Sequence, residues 1–209
     1  MKAVSLFPIL LLFACSFANA KELGPPAKLP EVPKGMQAAT FAGGCFWCME
    51  GPFEALDGVL STTSGYTAGK QANPTYGEVS SGATGHTEAI YVVFDPKKIS
   101  YAKLLDVFWH NIDPLAKDRQ FCDGGDQYRS GIYFHDPEQK KLAEQTKAEV
   151  AKKLGSTVHT EILAASKFYP AEVGHQDFYK TNSAHYNAYR SGCGRDRRLK
   201  ELWGESAAH

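Results

Sequence analysis

The segment GGCFWC, residues 43–48, places two cysteines where thiol chemistry is easiest to support. Two glycines permit a tight turn, so a preceding strand can deliver Cys45 to the first turn of a helix. Unpaired backbone N–H groups and the helix dipole favour an anion there, which lowers the pKa of a cysteine. The pattern therefore predicts Cys45 as a nucleophile and Cys48, one turn later, as a less reactive thiol.

Other readings of a Cys-x-x-Cys pair stay open at this point. The spacing also occurs in thioredoxin-like dithiols and in zinc sites. Zinc usually takes a second close pair, whereas Cys122 and Cys193 are isolated and the seven histidines show no ligand spacing around them. A dithiol oxidoreductase is one alternative, and a non-catalytic domain held by two disulfides is the other, although a chain of this length does not need such bonds to fold.

The first twenty residues have the features of an export signal. Lys2 precedes an apolar run, and Ala18-Asn19-Ala20 is typical of a cleavage site, so we expect the mature chain to begin at Lys21. A lipoprotein box ending at Cys15 is the alternative. A proline-rich spacer is expected at residues 21–35 and one domain at residues 36–209. We expect an exported protein, in the periplasm or anchored through Cys15.

The charge balance excludes an obvious polyanionic partner. The chain has 23 Lys and Arg against 23 Asp and Glu, a formal net charge of zero, so nothing favours nucleic acid binding. A short basic cluster near the end comprises Arg195, Arg197, Arg198 and Lys200. We expect this cluster to form a solvated helical face.

Patterns along the domain predict alternating strands and helices. Strands are expected at residues 38–42, 59–66, 88–94, 128–134 and 158–164, with helices at 44–56, 101–112 and 137–154. Residues 68–85 and 113–126 are predicted loops, and the part after Ser166 is predicted to hold short helices at best. The order β-α-β-β-α-β-α-β favours an α+β fold with helices over a mixed sheet.

Several segments, taken in order, resemble the A-type peptide-methionine sulfoxide reductases. The segments are GGCFWCMEGPFEALDGV around Cys45, SGYTAGKQANPTYGEVSSGATGHTEAIYVVFDP, YAKLLDVFWHNIDP, DRQFCDGGDQYRSGIY and YNAYRSGCGRDRRLKELWG. The resemblance covers nearly the whole mature domain. It implies a two-layer α+β sandwich with a ferredoxin-like core and a long irregular C-terminal segment. It also implies thiol-dependent reduction of methionine-S-sulfoxide, free or in proteins, a reaction that repairs oxidised proteins.

The resemblance implies roles for residues beyond Cys45. Glu88, at the start of the strongest strand, matches the acid that protonates the departing sulfoxide oxygen. Tyr76 and Tyr128 match tyrosines that hold this oxygen, and Asp123 matches an aspartate that organises the site. Phe46 and Trp47 would receive the substrate's methyl group. These roles require a protonated, partly desolvated carboxyl and phenol donors in one pocket.

A second thiol must clear the sulfenic acid formed on Cys45. Cys193, in a glycine-flanked segment, matches the resolving cysteine of many relatives, and we favour it over Cys48, which stands where glycine is commoner. Cys122 is a further departure, either a relay thiol or an inert residue. A thioredoxin-like donor is implied as the reductant. We expect a monomer with no metal, flavin or nicotinamide cofactor.

Overall fold

The computed structural model describes residues 23–204. The predicted signal peptide, with Cys15, lies outside the described residues. Between residues 23 and 204, no helix combines the length and the apolar character that a membrane span needs. The strands are β1 (Gln37–Gly43), β2 (Val59–Thr67), β3 (Thr87–Phe94), β4 (Arg119–Gln120), β5 (Asp123–Gly124), β6 (Ser130–Phe134), β7 (Glu161–Ala164) and β8 (Tyr169–Pro170). The helices are α1 (Trp47–Glu54), α2 (Tyr76–Ser80), α3 (Tyr101–His110), α4 (Pro137–Leu154), α5 (Phe178–Thr181), α6 (Ser183–Gly192) and α7 (Arg195–Trp203).

Six strands form one mixed sheet in the order β7-β6-β1-β3-β2-β8. The β6–β7 pair is parallel and the other pairs are antiparallel, so the sheet is mixed as predicted. The long β2–β3 ladder sets Tyr66 opposite Glu88. Strand β1 lies between β6 and β3, which places its end, and therefore Cys45, at the middle of the sheet.

Successive side chains of β1 point into two apolar layers, one on each face of the sheet. Phe41 stacks on Phe53 of α1 at 5.2 Å and on Phe108 of α3 at 5.2 Å, so these helices cover one face of the sheet. Its neighbour Ala42 joins a smaller cluster with Tyr133 and Phe168 on the opposite face. Successive strand residues point to opposite faces, which explains why one short segment feeds both layers.

Helix α4 has the ends that its sequence predicts. The Asp136 side chain accepts a hydrogen bond from the Gln139 N–H at 2.8 Å, Pro137 begins the helix, and Gly155 ends it in the left-handed conformation. These are the usual stabilising groups at helix ends.

The structure corrects the prediction for the C-terminal part. Residues 178–203 are mostly helical, with α6 of 10 residues and α7 of 9, rather than irregular. Helix α6 buries Tyr189, and α7 buries Arg195, Leu199 and Trp203, which are spaced by four residues along the helix. The predicted loop at residues 68–85 also contains helix α2, which begins with a capping box of Thr75 and Glu78. The ferredoxin-like description of the core stays a prediction.

The first described residues, predicted as a spacer, pack on the domain. The Val173 N–H donates to the Pro25 carbonyl at 2.9 Å, and the Gly174 N–H donates to that of Leu23 at 2.8 Å. Leu23 is buried. This segment therefore supports residues 171–174, which lead directly into the site described next.

Candidate active site

The turn between β1 and α1 presents Cys45 as the two glycines predict. Gly44 has a φ of +79°, and a Cβ there would lie 2.5 Å from the Gln120 Cβ, so only glycine fits. The structure places Cys45 one residue before the helix N-cap, Phe46, rather than inside the first turn. Its side chain is fully buried.

Glu88 lies on β3 directly beside this turn. Its Oε2 accepts a hydrogen bond from the Phe46 N–H at 3.0 Å, whereas Oε1 is buried and has no hydrogen-bond partner among residues 23–204. Burial raises the pKa of the Glu88 carboxyl well above its usual range, against the lowering effect of the Phe46 N–H. The carboxyl is therefore suited to hold a proton near neutral pH and to donate it.

Cys48 contacts Cys45 across the first turn of α1. The Cys48 N–H donates to the Cys45 carbonyl at 3.1 Å, and the two side chains share a hydrogen bond. This bond, followed by burial, raises the pKa of the Cys48 thiol, while Arg195 lowers it. The predicted pair of neighbouring thiols is present, and Cys48 lies within reach of the sulfur that it would have to attack.

Phe46 and Trp47 lie in an aromatic cluster around the turn. Phe46 packs on Tyr66, with ring centroids 5.9 Å apart, and Trp47 stacks on Phe178 at 3.7 Å. Both side chains are buried. They give Cys45 apolar, rigid neighbours of the kind expected to receive a methyl group.

A buried Glu172–His175 pair, which the sequence analysis missed, holds this cluster in place. The Trp47 Nε1–H donates to His175 Nδ1 at 3.1 Å, and His175 Nε2 lies 3.8 Å from a Glu172 oxygen. Glu172 also accepts hydrogen bonds from the Tyr66 hydroxyl and the Tyr76 N–H, both at 2.9 Å. Burial lowers the pKa of His175 to about 4, so its ring is neutral and can accept from the indole.

Both predicted tyrosines reach this region from separate loops. Tyr76 begins α2, and its ring lies 4.4 Å from that of His175. Tyr128 ends a short 3-10 helix, Asp126–Tyr128, and acts electrostatically on Tyr66, as does Glu88. The structure thus brings the two tyrosines to the same side of the turn as Glu88, although they are far apart in sequence.

Asp123 lies between Glu88, whose pKa its charge raises, and Tyr189 of helix α6. Its Oδ2 accepts a short hydrogen bond from the Tyr189 hydroxyl, and the Tyr189 ring packs edge-on against Trp47 at 5.9 Å. Burial raises the pKa of Asp123, while Tyr189 and Arg195 lower it. Asp123 therefore acts on Glu88 electrostatically and contacts Tyr189, a residue that the sequence analysis did not single out.

Cys193 does not stand beside Cys45 but forms a disulfide with Cys122, across 71 residues. Cys122 is exposed and Cys193 half-buried, in contrast to the buried Cys45 and Cys48. The preference for Cys193 as the first resolving thiol thus has no support in this arrangement. Among residues 23–204, Cys122, Asp123 and Cys193 also form a close group of donor atoms, but the two sulfurs are bonded to each other.

Arg195 corrects the prediction of a solvated basic face. Its side chain is 2% exposed and packs against the β1–α1 turn. Its Nη2 donates to the Gly43 carbonyl at 3.1 Å and to the Asn111 carbonyl at 2.7 Å. Arg197 and Lys200 are exposed, as expected. The one member of the cluster that turns inward is the one that follows Cys193 and Gly194.

The missed residues had weak sequence signals. Glu172 and His175 stand three positions apart, and Tyr189 lies four before Cys193, but no periodicity marks them as buried. A charged residue three positions before a histidine in an aromatic segment is the only sequence signal, and it does not identify a partner.

Comparisons with known proteins point to one family. Residues 37–207 match the family model described as peptide methionine sulfoxide reductase. The chain is 46% identical over 197 residues to a protein of Caulobacter vibrioides named peptide methionine sulfoxide reductase MsrA 2, covering 94% of this chain and 98% of that one. It is 48% identical over 174 residues to a Bacillus licheniformis protein named MsrA, covering 80% and 94% of the two chains.

Solved structures are similar as well. The reduced form of Mxr1 from Saccharomyces cerevisiae has a TM-score of 0.69 at 31% identity, covering 72% of this chain and 88% of that one. Methionine sulfoxide reductase A of Corynebacterium diphtheriae has a TM-score of 0.66 at 32% identity, covering 72% and 77%. The yeast protein has also been solved in complex with Trx2, a structure that shares the fold at 24% identity and a TM-score of 0.52.

Proposed function

Because this chain belongs to the peptide methionine sulfoxide reductase family, we propose that Cys45 and Glu88 together reduce the S epimer of methionine sulfoxide. The observation that carries this assignment is a buried carboxyl, with a raised pKa, hydrogen-bonded to the turn that holds the buried thiol. The substrates are free methionine sulfoxide and oxidised residues in proteins, so the reaction repairs oxidative damage.

In the first step the Cys45 sulfur attacks the sulfoxide sulfur. Glu88 supplies a proton to the sulfoxide oxygen, with hydrogen bonds from Tyr76 and Tyr128 stabilising the charge that develops on it. Phe46 and Trp47 hold the methyl group. The protonated oxygen then moves from the substrate sulfur to the Cys45 sulfur while the sulfur–sulfur bond made in the attack breaks and methionine leaves. One thiol and one sulfoxide thereby become one sulfenic acid and one thioether.

In the second step Cys48 resolves the sulfenic acid. Its sulfur, already hydrogen-bonded to Cys45, forms a disulfide with Cys45, and the sulfenic oxygen leaves as water. Cys193 is bonded to Cys122 instead. We therefore propose that Cys48 reacts with the sulfenic acid first, and that the Cys122–Cys193 pair takes part only afterwards.

A thioredoxin-like dithiol donor then restores the thiols. The yeast relative's complex with Trx2 supports this class of partner, and disulfide exchange requires a thiolate that can reach the sulfur it attacks. Cys122 is exposed whereas Cys45 and Cys48 are buried. We place the donor at the Cys122–Cys193 disulfide, whose released thiols then exchange with the Cys45–Cys48 bond.

The location remains part of the proposal. Residues 1–20 have the pattern of an export signal, so we place the enzyme outside the cytoplasm, in the periplasm or anchored through a lipidated Cys15. The donor must then work in the same compartment.

The deciding experiment is turnover of the separated R and S epimers of a blocked methionine sulfoxide, with dithiothreitol as the reductant. We expect reduction of the S epimer alone, and none in Cys45→Ser. Turnover of both epimers, or activity in Cys45→Ser, contradicts the assignment. Reduction of a disulfide substrate without either epimer identifies a dithiol oxidoreductase instead.

A further inference from the structure

A buried positive charge lies between the two cysteine pairs. The Arg195 guanidinium has Nη2 3.1 Å from the Met49 sulfur, next to Cys48 on α1, and packs over the Phe121 ring at 4.4 Å, next to Cys122. Its Nε is buried and has no hydrogen-bond partner within residues 23–204. The polar contacts of the group are two backbone carbonyls and a thioether, which carry no formal charge.

This charge has no carboxylate partner at ion-pair distance in the described part of the chain. Asp123 acts on it electrostatically, but Tyr189 holds an Asp123 oxygen and burial raises the pKa of this carboxyl. A buried charge without a partner is costly, and an anion that forms nearby offsets this cost. The anion that the proposed resolving step requires here is the Cys48 thiolate.

Groups from four elements act on Cys48. Cys45 lies on the β1–α1 turn, Glu88 on β3, Tyr186 and Arg190 on α6, and Arg195 on α7. The Arg190 charge is balanced by Asp196, at 2.9 and 2.5 Å. Glu88 has a raised pKa, which reduces its negative charge. Arg195 is thus the cation around Cys48 whose charge nothing in this set balances.

We propose that Arg195 is a positioning residue for the resolving step, and that its buried charge stabilises the thiolate of Cys48. The proposal rests on the proposed function, in which Cys48 attacks the Cys45 sulfenic acid. In that attack the Cys48 sulfur forms the new S–S bond, the Cys45 S–O bond breaks, and hydroxide takes a proton to leave as water. Arg195 takes no part in the bonds that change. It increases the fraction of Cys48 that is ionised.

Single turnovers without a reductant separate the two steps. The full chain is mixed with a blocked methionine S-sulfoxide between pH 5 and 9. Methionine is measured for the first step, and loss of alkylatable Cys48 for the second. In Arg195→Gln we expect methionine formation within twofold of the unsubstituted protein. Disulfide formation should fall at least tenfold at pH 7, which corresponds to a rise of about one unit in the apparent pKa of that step, and should recover as the pH rises.

Two further variants distinguish charge from packing. Arg195→Lys keeps the charge and loses contacts of the planar guanidinium, so we expect its pH profile to resemble that of the unsubstituted protein. Arg198→Gln, which removes a half-exposed cation paired with Asp113 and Glu201, should change neither step. If the melting curve of Arg195→Gln shows that this variant does not fold, the pH profile of Arg195→Lys tests the proposal instead. A profile like that of the unsubstituted protein supports a role for the charge.

The outcomes separate the two proposals. An unchanged pH profile of disulfide formation in Arg195→Gln overturns the role of Arg195. So does an Arg195→Lys variant whose two steps slow equally, since that is the effect of lost packing. A lack of methionine from the unsubstituted protein overturns the proposed function itself.

Discussion

At the scale of single residues, burial sets the chemistry of this site. Glu88 and Glu50 are both buried carboxyls near the β1–α1 turn, and desolvation raises the pKa of each. Glu88 faces the reactive turn, whereas Glu50 lies on the helix that follows it. The same physical effect therefore suits Glu88 to the proposed proton donation and should reduce stability at Glu50.

Glu88→Gln tests the proton donor. Glutamine can still accept the Phe46 N–H but cannot supply a proton, so methionine formation in a single turnover should fall by about a hundredfold or more. The unsubstituted enzyme should lose activity as the pH rises through the raised pKa of Glu88, and the variant should lack this limb of the profile. Quenched-flow measurement of methionine between pH 5 and 10 provides the data.

The control is Glu144→Gln, at an exposed position of α4. It should leave both the rate and the pH profile unchanged. A Glu88→Gln enzyme with the rate of the unsubstituted protein would show that another group protonates the oxygen.

Glu50→Gln tests how much the buried Glu50 carboxyl lowers the free energy of unfolding. Its Oε2 has no hydrogen-bond partner within residues 23–204, and burial raises its pKa to about 8. An unfolded glutamate ionises near pH 4.3, so the folded state keeps a proton that the unfolded state has lost, and stability falls as the pH rises from about 4.3 to about 8. The variant should be more stable by about 2–5 kcal/mol at pH 8.5, and by little at pH 4.

Urea unfolding at pH 4, 7 and 8.5 measures this difference. Glu144→Gln serves again as the exposed control and should show no such pH dependence. A gain in Glu50→Gln that is equal at all three values would assign the effect to packing rather than to ionisation.

At the scale of elements, the end of β1 places the nucleophile. Gly43 and Gly44 allow Met49, Ile112 and Gln120 to pack against the turn backbone, with no space for a Cβ at either glycine. Glu88 on β3 then meets the Phe46 N–H because β1 and β3 are paired in register. The acid and the thiol are thus positioned by one ladder and one turn.

Gly44→Ala should disturb this turn. The added Cβ would lie 2.5 Å from the Gln120 Cβ at a φ of +79°, so we expect a loss of about 2–4 kcal/mol in stability together with a lower rate of methionine formation. Gly77→Ala is the matched control, since a Cβ there meets nothing within 4 Å and lies in helix α2. It should be neutral or slightly stabilising. Equal melting temperatures for the two variants would contradict this account.

At the scale of the whole molecule, two cysteine pairs differ in access. The inner pair, Cys45 and Cys48, is buried, and the outer pair joins the exposed Cys122 to the half-buried Cys193. A protein donor is too large to reach a buried sulfur, whereas a small reductant such as dithiothreitol needs a much smaller opening. Turnover with dithiothreitol and turnover with a protein donor should therefore require different cysteines.

The double variant Cys122→Ser/Cys193→Ser tests this division. We expect it to keep most of its turnover with dithiothreitol and to lose at least tenfold with a thioredoxin system, because the donor no longer has an exposed disulfide to attack. Cys48→Ser should form methionine once per enzyme without a reductant. A double variant that thioredoxin reduces at the full rate would place the donor directly on Cys45–Cys48.

The sequence by itself determined the local features. The Gly-Gly turn before Cys45, the strand beginning near Glu88 and the capped helix α4 follow from backbone freedom, alternation and helix-end chemistry, which act over a few residues. The order of elements also sufficed for the α+β class, and the motifs sufficed for the family.

Only the tertiary structure decided which distant groups meet. The Glu172–His175 support of Trp47, the bond of Tyr189 to Asp123 and the Cys122–Cys193 pairing join residues 66 to 128 positions apart. Arg195 was expected in water because charge is costly to bury. Its burial depends on carbonyls of β1 and of the segment after α3, so no local pattern could predict it.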